Sequence, residues 1–483
     1  MRHEMKLDEP SVVKPGRTGS APPDRPVRAA SGRPSKLAVP DHGAGRAGER
    51  TPSKPASRWP ALKRFRARSA LLYATLRPRA GRKLPNELRA ENVGPLAEAL
   101  PLGVRDAGFE RLVGRIDTGP IHHGNQVQLF FRGAEAFAAV HQAIEGATEE
   151  ILLETYILRD DATGRKLLRL LGGAAARGVK VRVLADAYGS WTTKPAFWRE
   201  MQGLGIEARL FRPFWSHLRR FLFRDHRKII AIDRRISFTG GMNIANEYGS
   251  SRHNKDASWR DTHVRVEGPT AWEMALVFSE SWERSGGASL HLPPLAPTDT
   301  SGARTLVLDS RSGRGQGETA AVLAALVAAS RKRLWITNPY FAPNRMAIRL
   351  LGHAAQRGVD VRLLLQGRTD MPLVRHAGHG NFHDLLASGV RLFEYQSAIL
   401  HAKTLMIDDY ASVVGSSNLD FRSFYFNAEC NVLILDEAAG RTMAQAFEAD
   451  LGQSLEVRLE NWNHRPLAHR LGDALARCLS PLL

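Results

Sequence analysis

His226 and Lys228 are followed by Asp233, Gly240 and Asn243, and the same residue types recur 175 positions later as His401, Lys403, Asp408, Gly415 and Asn418. One His-x-Lys-x4-Asp string arises by chance in roughly a few per cent of chains this long. Two at one offset, each carrying the same Gly and Asn, make coincidence negligible. Two imidazoles, two ammonium groups and two carboxamides brought together form a cationic, donor-rich pocket suited to a phosphodiester. Lys and Asn would hold the non-bridging oxygens and stabilise the charge of a pentacoordinate transition state. One imidazole can attack phosphorus and form a phosphohistidine. The other can protonate the leaving alkoxide and then deprotonate the incoming alcohol. The two lysines supply the positive charge that a metal would otherwise bring, so neither metal nor cofactor is expected. A lone His-x-Lys is usually a solvated strand edge; the duplication reverses that reading.

The elements that must position these residues can be read locally. His226 and Lys228 lead into a strand-like run, two residues apart, so both side chains face one way. Asp233-Arg-Arg is a turn, and Ile236 to Gly240 returns antiparallel, which brings Asn243 beside His226 and Lys228. His401 to Asn418 repeats this hairpin. His, Lys and Asn therefore meet at one end of each hairpin, and the Asp lies at the other, roughly 20 Å away at ~3.3 Å per residue. That placement favours a turn-locking role for Asp233 and Asp408 over direct chemistry. Better partners for the imidazoles are Asp261 and Glu429, each on the next strand-like run after its own motif, where a carboxylate could bind Nδ1–H and fix the tautomer. The alternative for both is an ordinary surface carboxylate.

The surrounding pattern is that of an α/β protein written twice. Glu150–Ile157 reads as a buried strand, a helix runs from Lys166 to Arg177, Gly178 closes it, and Val179–Asp186 is a second strand. Arg333 to Thr337, a helix to Arg357, Gly358 and Val359–Leu365 repeat the order. A repeat this long is a duplicated domain rather than a solenoid unit. The predicted organisation is a disordered basic arm (1–57), a basic amphipathic or linker region (58–108), a first lobe (109–291), a second lobe (301–456) and a C-terminal extension (457–483). The Pro- and Thr-rich segment from Leu292 to Thr300 links the lobes.

These residues resemble the duplicated HKD motif of the phospholipase D superfamily, over nearly all of residues 118–456. Within it, Gly124-Asn125, Glu154 to Ile157, Arg224 to Lys228, Gly240 to Asn243, Trp259 to Asp261, Gly415 to Asn418 and Asn427 to Glu429 look like the cardiolipin synthase branch. The resemblance implies two similar lobes, each a mixed β-sheet flanked by helices, with the active site at their pseudo-two-fold interface. It implies His226 as nucleophile and His401 as general acid, with Lys228, Lys403, Asp233 and Asp408 completing the motifs. Gly240, Gly415 and Ser416 join Asn243 and Asn418 as substrate-binding candidates. The implied reaction moves a phosphatidyl group from one phosphatidylglycerol to another and releases glycerol. A hydrolytic phospholipase D or a nuclease is the alternative, since such a pocket cleaves any accessible phosphodiester. Short nucleases of the superfamily carry one motif and dimerise, which the internal duplication argues against. Many cardiolipin synthases begin with two transmembrane helices that this chain lacks, so it looks like a shorter branch.

Composition narrows the setting. The 483 residues are 43% hydrophobic and 24% charged, as in a folded soluble protein. Two cysteines, Cys430 and Cys478, exclude a disulfide scaffold and a dense thiolate metal site. The longest apolar run, Thr319 to Ser330, is about a dozen residues against the roughly 18 needed to span a bilayer. Of the formal charge of +19, residues 1–90 carry +14 (21 Lys and Arg against 7 Asp and Glu), so the basic character belongs mainly to the amino-terminal arm. Such an arm could touch nucleic acid or anionic lipid. Trp59 to Leu76 reads as a basic amphipathic helix, for a membrane surface or for packing on the body. Phe211 to Arg224 packs aromatics among arginines, as an interfacial patch or as a loop buried on the body. With the resemblance, these features point to an anionic phospholipid membrane and phosphatidylglycerol as partners, at the cytoplasmic face and without spanning it. They weigh against nucleic acid, and no obligate protein partner is evident.

Overall fold

The computed structural model describes residues 93–116, 119–213, 223–249, 258–295, 301–311 and 317–479. The basic arm and the amphipathic segment Trp59 to Leu76 lie outside them, as does most of the aromatic–arginine stretch before the first motif.

Short apolar runs rich in Val, Ile and Leu become strands buried on both faces, because helices cover each side of the sheet. The first half contributes β1 (His122–Phe130), β2 (Glu150–Thr155), β3 (Lys180–Asp186), β4 (Glu207–Phe211), β5 (Ile229–Ile232), β6 (Ile236–Gly240) and β7 (His263–Glu267). The second repeats them as β8 (Ala303–Ser310), β9 (Arg333–Thr337), β10 (Asp360–Gln366), β11 (Arg391–Tyr395), β12 (Thr404–Ile407), β13 (Ala411–Gly415) and β14 (Glu429–Leu435). It then adds β15 (Ser454–Val457) at its edge.

The strand order is β15-β11-β10-β9-β12-β13-β14-β8-β1-β7-β6-β5-β2-β3-β4. Read outward from the β8–β1 junction, equivalent strands follow in the same order on both sides, so a pseudo-two-fold passes through the junction. β2, β3 and β4 run parallel, as do β9, β10 and β11; the remaining neighbours are antiparallel. The expected sheet in each lobe is thus one half of a single mixed sheet, fused where His122 faces Thr305 and Asn125 faces Ala303.

Helices Ala162–Ala176 and Arg345–Gln356 occupy equivalent crossovers. Asp161 caps the first by accepting from Gly164 N, and Asn344 caps the second by accepting from Ala347 N. Gly178 and Gly358 follow them with φ of 91° and 87°, a conformation that favours glycine.

One core joins both halves. Leu152, Val264, Phe278 and Trp282 of the first pack in the same cluster as Trp335, Val432 and Phe447 of the second. Residues 93–116 belong to the other face of the second half. Phe109, Leu112 and Val113 are buried with Val322 and Leu326, and Arg331 donates to the carbonyls of Ala97 and Leu100. The apolar run Thr319 to Ser330 lies largely within the buried helix Gly317–Ala329. No helix among the described residues is long and apolar enough to cross a membrane.

Candidate active site

Each motif sits on its hairpin with the aspartate at the far end. In the first, Ile232 pairs with Ile236 around the turn, and Asp233 adopts φ 51°. Its carboxylate accepts from Thr148 N (2.8 Å), Thr148 Oγ1 (2.9 Å), Glu149 N (2.8 Å) and Glu150 N (2.8 Å). Asp408, at φ 53°, accepts from Arg331 N (2.9 Å), Lys332 N (2.7 Å) and Arg333 N (2.8 Å). Each motif aspartate thus ties its turn to the chain entering the neighbouring strand, β2 or β9. His226 to Lys228 and His401 to Lys403 lie just before β5 and β12, outside those strands.

The two histidines meet across the pseudo-two-fold, and each finds its carboxylate in the opposite half. His226 Nδ1 lies 3.0 Å from Glu429 Oε2, and His401 Nδ1 lies 2.7 Å from Asp261 Oδ2. The sequence places each carboxylate one strand beyond its own motif; the structure exchanges them. Backbone pairing is the cause. His226 N donates to Ala428 O (2.9 Å), Ala428 N donates to Arg224 O (2.9 Å), and His401 N donates to Arg260 O (2.7 Å). These bridges set residue 226 beside residue 429 and residue 401 beside residue 261. A carboxylate accepting from Nδ1–H leaves Nε2 of each ring with its lone pair.

The two carboxylates differ. Glu429 takes hydrogen bonds from Ser416 Oγ (2.5 Å) and Ser423 Oγ (2.8 Å) as well as facing His226. Burial pushes its carboxyl up, but attraction to His226, that hydrogen bond, Lys228 and Ser416 hold it below the ordinary range. Asp261 accepts from Thr262 N (2.7 Å), and burial pushes it up to about 6 despite Lys403. Gly241 stands where the second half has Ser416, and a Cβ there would collide with the Asp261 carboxylate. The first half therefore has room only for a glycine and the shorter acid.

Lys228 Nζ donates to His226 O (2.7 Å), and Lys403 Nζ donates to His401 O (2.5 Å) while lying 3.0 Å from His401 Nε2. Burial lowers Lys228 to about 7, with Lys403 lowering it further, and burial lowers Lys403 to about 8, while Glu429 and Asp261 pull both back up. Both imidazoles are held below their ordinary value, His226 by burial and His401 by burial and then the two lysines. The pocket is thus poised to take up protons when an anion enters.

The remaining candidates divide. Asn243 is spent internally, accepting from Ile157 N (3.2 Å) and donating to Tyr248 Oη (2.8 Å). Asn418 is also buried, but its Oδ1 has no hydrogen-bond partner among the described residues. Ser416 serves Glu429 and Cys430 N (3.0 Å). A Cβ at Gly240 or Gly415 would strike the strand alongside, so these glycines permit close packing of β6 on β7 and of β13 on β14.

Sequence reasoning did not single out the aromatic walls or the anchors. Tyr156 stands edge-on to His226 at 4.9 Å between centroids, and Tyr248, Trp259 and Tyr340 surround His401 at 5.3, 5.2 and 5.8 Å. Asp186, at the carboxyl end of β3, accepts from Asp225 N (2.9 Å) and pairs with Arg224 (3.4 Å), fixing the segment that carries His226. Its place at a strand's carboxyl end was the available signal. Away from this pocket, His376, His379 and Asp473 bring donor atoms within 4.8 Å of one another. Asp473 is engaged there by Arg465 (2.7 Å) and His379 by Glu394 (3.1 Å), and the group docks helix Leu467–Leu479 against helix Pro372–His379.

A family model described as "Cardiolipin synthase, PLD-like domain" matches residues 140–282 and 323–451, more than half of the chain. A cardiolipin synthase of Geobacillus kaustophilus is 32% identical over 406 residues, covering 82% of this chain and 80% of that protein. The chain belongs to the cardiolipin synthase family of the phospholipase D superfamily. A second relative, cardiolipin synthase A of Pseudomonas entomophila, is 34% identical over 427 residues, covering 87% of this chain and 88% of its own. Among solved structures, the phosphatidylserine synthase of Haemophilus influenzae superimposes with a TM-score of 0.59 at 14% identity, over 78% of this chain and all of that one. At that identity the likeness speaks for the phospholipase D fold alone. Both family-model segments contain one motif, which matches the duplication across the β8–β1 junction.

Proposed function

We propose that this protein is a cardiolipin synthase, transferring the phosphatidyl group of one phosphatidylglycerol to a headgroup hydroxyl of another and releasing glycerol. The observation that carries the reading is the reciprocal pairing of two imidazoles with carboxylates of the opposite half, beside two buried lysines. In the first step, His226 Nε2 attacks phosphorus, the bond to the glycerol oxygen breaks, and His401 Nε2–H protonates that oxygen. In the second, the incoming hydroxyl gives its proton to His401, its oxygen attacks phosphorus, and the P–N bond breaks. His226 takes the nucleophile's part because the imidazolium formed on phosphorylation faces Glu429, the more firmly ionised carboxylate. The bound phosphodiester anion offsets the lysines that depress His401, so that His401 can hold the proton it must give.

Membrane binding at the surface, without spanning, fits the same reading. Trp191 is 70% exposed and Tyr188 42% exposed in the loop after β3, next to the residues that fix the His226 segment. An aromatic pair of this kind beside a lipid-processing pocket suits a headgroup interface. The test is to give the protein phosphatidylglycerol liposomes and weigh the products. Cardiolipin with glycerol supports the reading. Phosphatidic acid alone makes the enzyme a hydrolase, and no turnover refutes it.

A further inference from the structure

The two halves are not equally filled behind their lysines. In the second half, a cavity enters between helices Gly317–Ala329 and Arg345–Gln356 and reaches Lys403 and Asn418. Its empty space is about 900 Å³, the part open to solvent included, and its walls are mostly Ala, Leu, Val and Ile. The equivalent place in the first half, behind Lys228, holds about 350 Å³.

The strand register makes the comparison residue by residue. Gly240 pairs with His263, and Gly415 with Asn431, so His263 and Asn431 are equivalent. Two residues past each glycine stand Met242 and Ser417. Asp233 holds Thr148 to Glu150 as Asp408 holds Arg331 to Arg333, so on the covering helices Phe137 corresponds to Ala320. The first half thus fills its space with Phe137, Met242 and His263, and the second leaves it open with smaller side chains. An unfilled apolar space in a close-packed core is destabilising. Its much larger size in one copy than in the other points to a ligand.

We propose that this cavity receives an acyl chain of the phospholipid whose phosphate lies between the two motifs. This rests on the reading of the polar site as a phosphatidyl-transfer centre. Two observations fix the occupant's chemistry. The cavity is apolar along its length yet ends on a motif lysine, so a molecule filling it has an anionic head and a hydrocarbon tail. Asn418, itself 5% exposed, lines the cavity with Lys403, and its Oδ1 has no hydrogen-bond partner among the described residues, so a headgroup or glycerol hydroxyl can donate to it. The mouth is framed by Ala320, Leu323, Met346 and Ala347, all half-buried. The equivalent space behind Lys228 is too full to accept a second chain in the same manner, so the two lipids of the reaction are held differently.

The test is photo-crosslinking with phosphatidylglycerol bearing a diazirine at the end of one acyl chain, presented in mixed micelles. Label is expected on peptides from 317–329 and 345–356. Filling the mouth with Ala320→Phe or Ala347→Phe should reduce that label by about tenfold. Label confined to other peptides, or label on these helices that neither plug reduces, overturns the proposal. Should a plug variant fail to fold, the position of the label in the parent protein decides by itself. Cardiolipin formation in the same samples reports separately on the polar site. Turnover with label placed elsewhere overturns the acyl-chain assignment while leaving the phosphatidyl-transfer reading standing.

Discussion

Replacing Asp233 by Asn tests whether a motif aspartate acts on the fold or on the chemistry. One carboxylate oxygen serves Glu149 N and Glu150 N, and the other serves Thr148 N and Thr148 Oγ1. An asparagine keeps the first pair on its carbonyl oxygen but turns an NH2 toward the second. Its backbone tolerates φ 51° as readily as aspartate does, so the change reports on the carboxylate. Thr148 Oγ1 can turn and accept from that NH2, so the bond lost is the charge-assisted one from Thr148 N, about 1.5–3 kcal/mol. At about 2–4 °C per kcal/mol or less for a unit this large, melting should fall by roughly 3–12 °C. Asp408→Asn likewise loses the bond from Arg331 N and should fall by a similar amount. The backbone N–H groups that hold Asp233 also lower its pKa against the opposing effect of burial. Its contribution is therefore present above the ordinary carboxylate range and lost as pH falls through the lowered value, so parent and Asp233→Asn should converge in acid. The assay is melting temperature against pH, with turnover per folded molecule on the same samples. A variant that melts like the parent yet has lost its turnover would refute the reasoning.

Glu429→Gln should fold and yet lose roughly 10²–10⁴-fold in turnover, because an amide can still accept from Nδ1–H but no longer supplies the counter-charge to the His226 imidazolium. Asp261→Asn should lose as much with phosphatidylglycerol but recover most of it on a phosphodiester with a nitrophenol leaving group, which needs no acid; equal losses on both substrates would contradict the assigned roles. Because Lys228 sits at about 7 and Lys403 at about 8, inorganic phosphate binding at pH 8 should draw protons from the buffer, and affinity should weaken as pH rises from 7 to 9. Calorimetry in two buffers of different ionisation heat measures this uptake, and identical heats would show the lysines already charged. Full activity should survive prolonged chelation; a loss restored by a divalent ion would overturn the lysines as the source of positive charge.

Much of the site could be read from spacing because its hairpins are local. His226 to Asn243 and His401 to Asn418 each fold within one stretch of chain, so strand arithmetic separates the pocket end from the aspartate end. The exchange of Asp261 and Glu429 between halves could not be read that way. It depends on where the chain crosses the pseudo-two-fold, through bridges at Asp225–Ala428 and Arg260–Leu400, and the nearer carboxylate in sequence was the wrong one. The difference between Asn243 and Asn418 was hidden for a similar reason. The partners that occupy Asn243, Ile157 and Tyr248, are set by loop paths rather than by motif spacing. The repeated strand–helix–strand order signalled two lobes correctly. Fusion of their sheets rests on β1 and β8, which lie outside the repeated motif and carry no pattern that announces their pairing.

The account turns on a covalent link between His226 and the phosphatidyl phosphorus. The direct measurement is to mix the protein with phosphorus-labelled phosphatidylglycerol, quench within a turnover in denaturant at neutral pH, and map the label by peptide. Label on the peptide containing His226, absent in His226→Ala and retained in His401→Ala with a nitrophenol-leaving substrate, is the predicted result. Label on His401 would reverse the two roles. Turnover to cardiolipin with no phosphoprotein at any time would contradict the double-displacement mechanism itself.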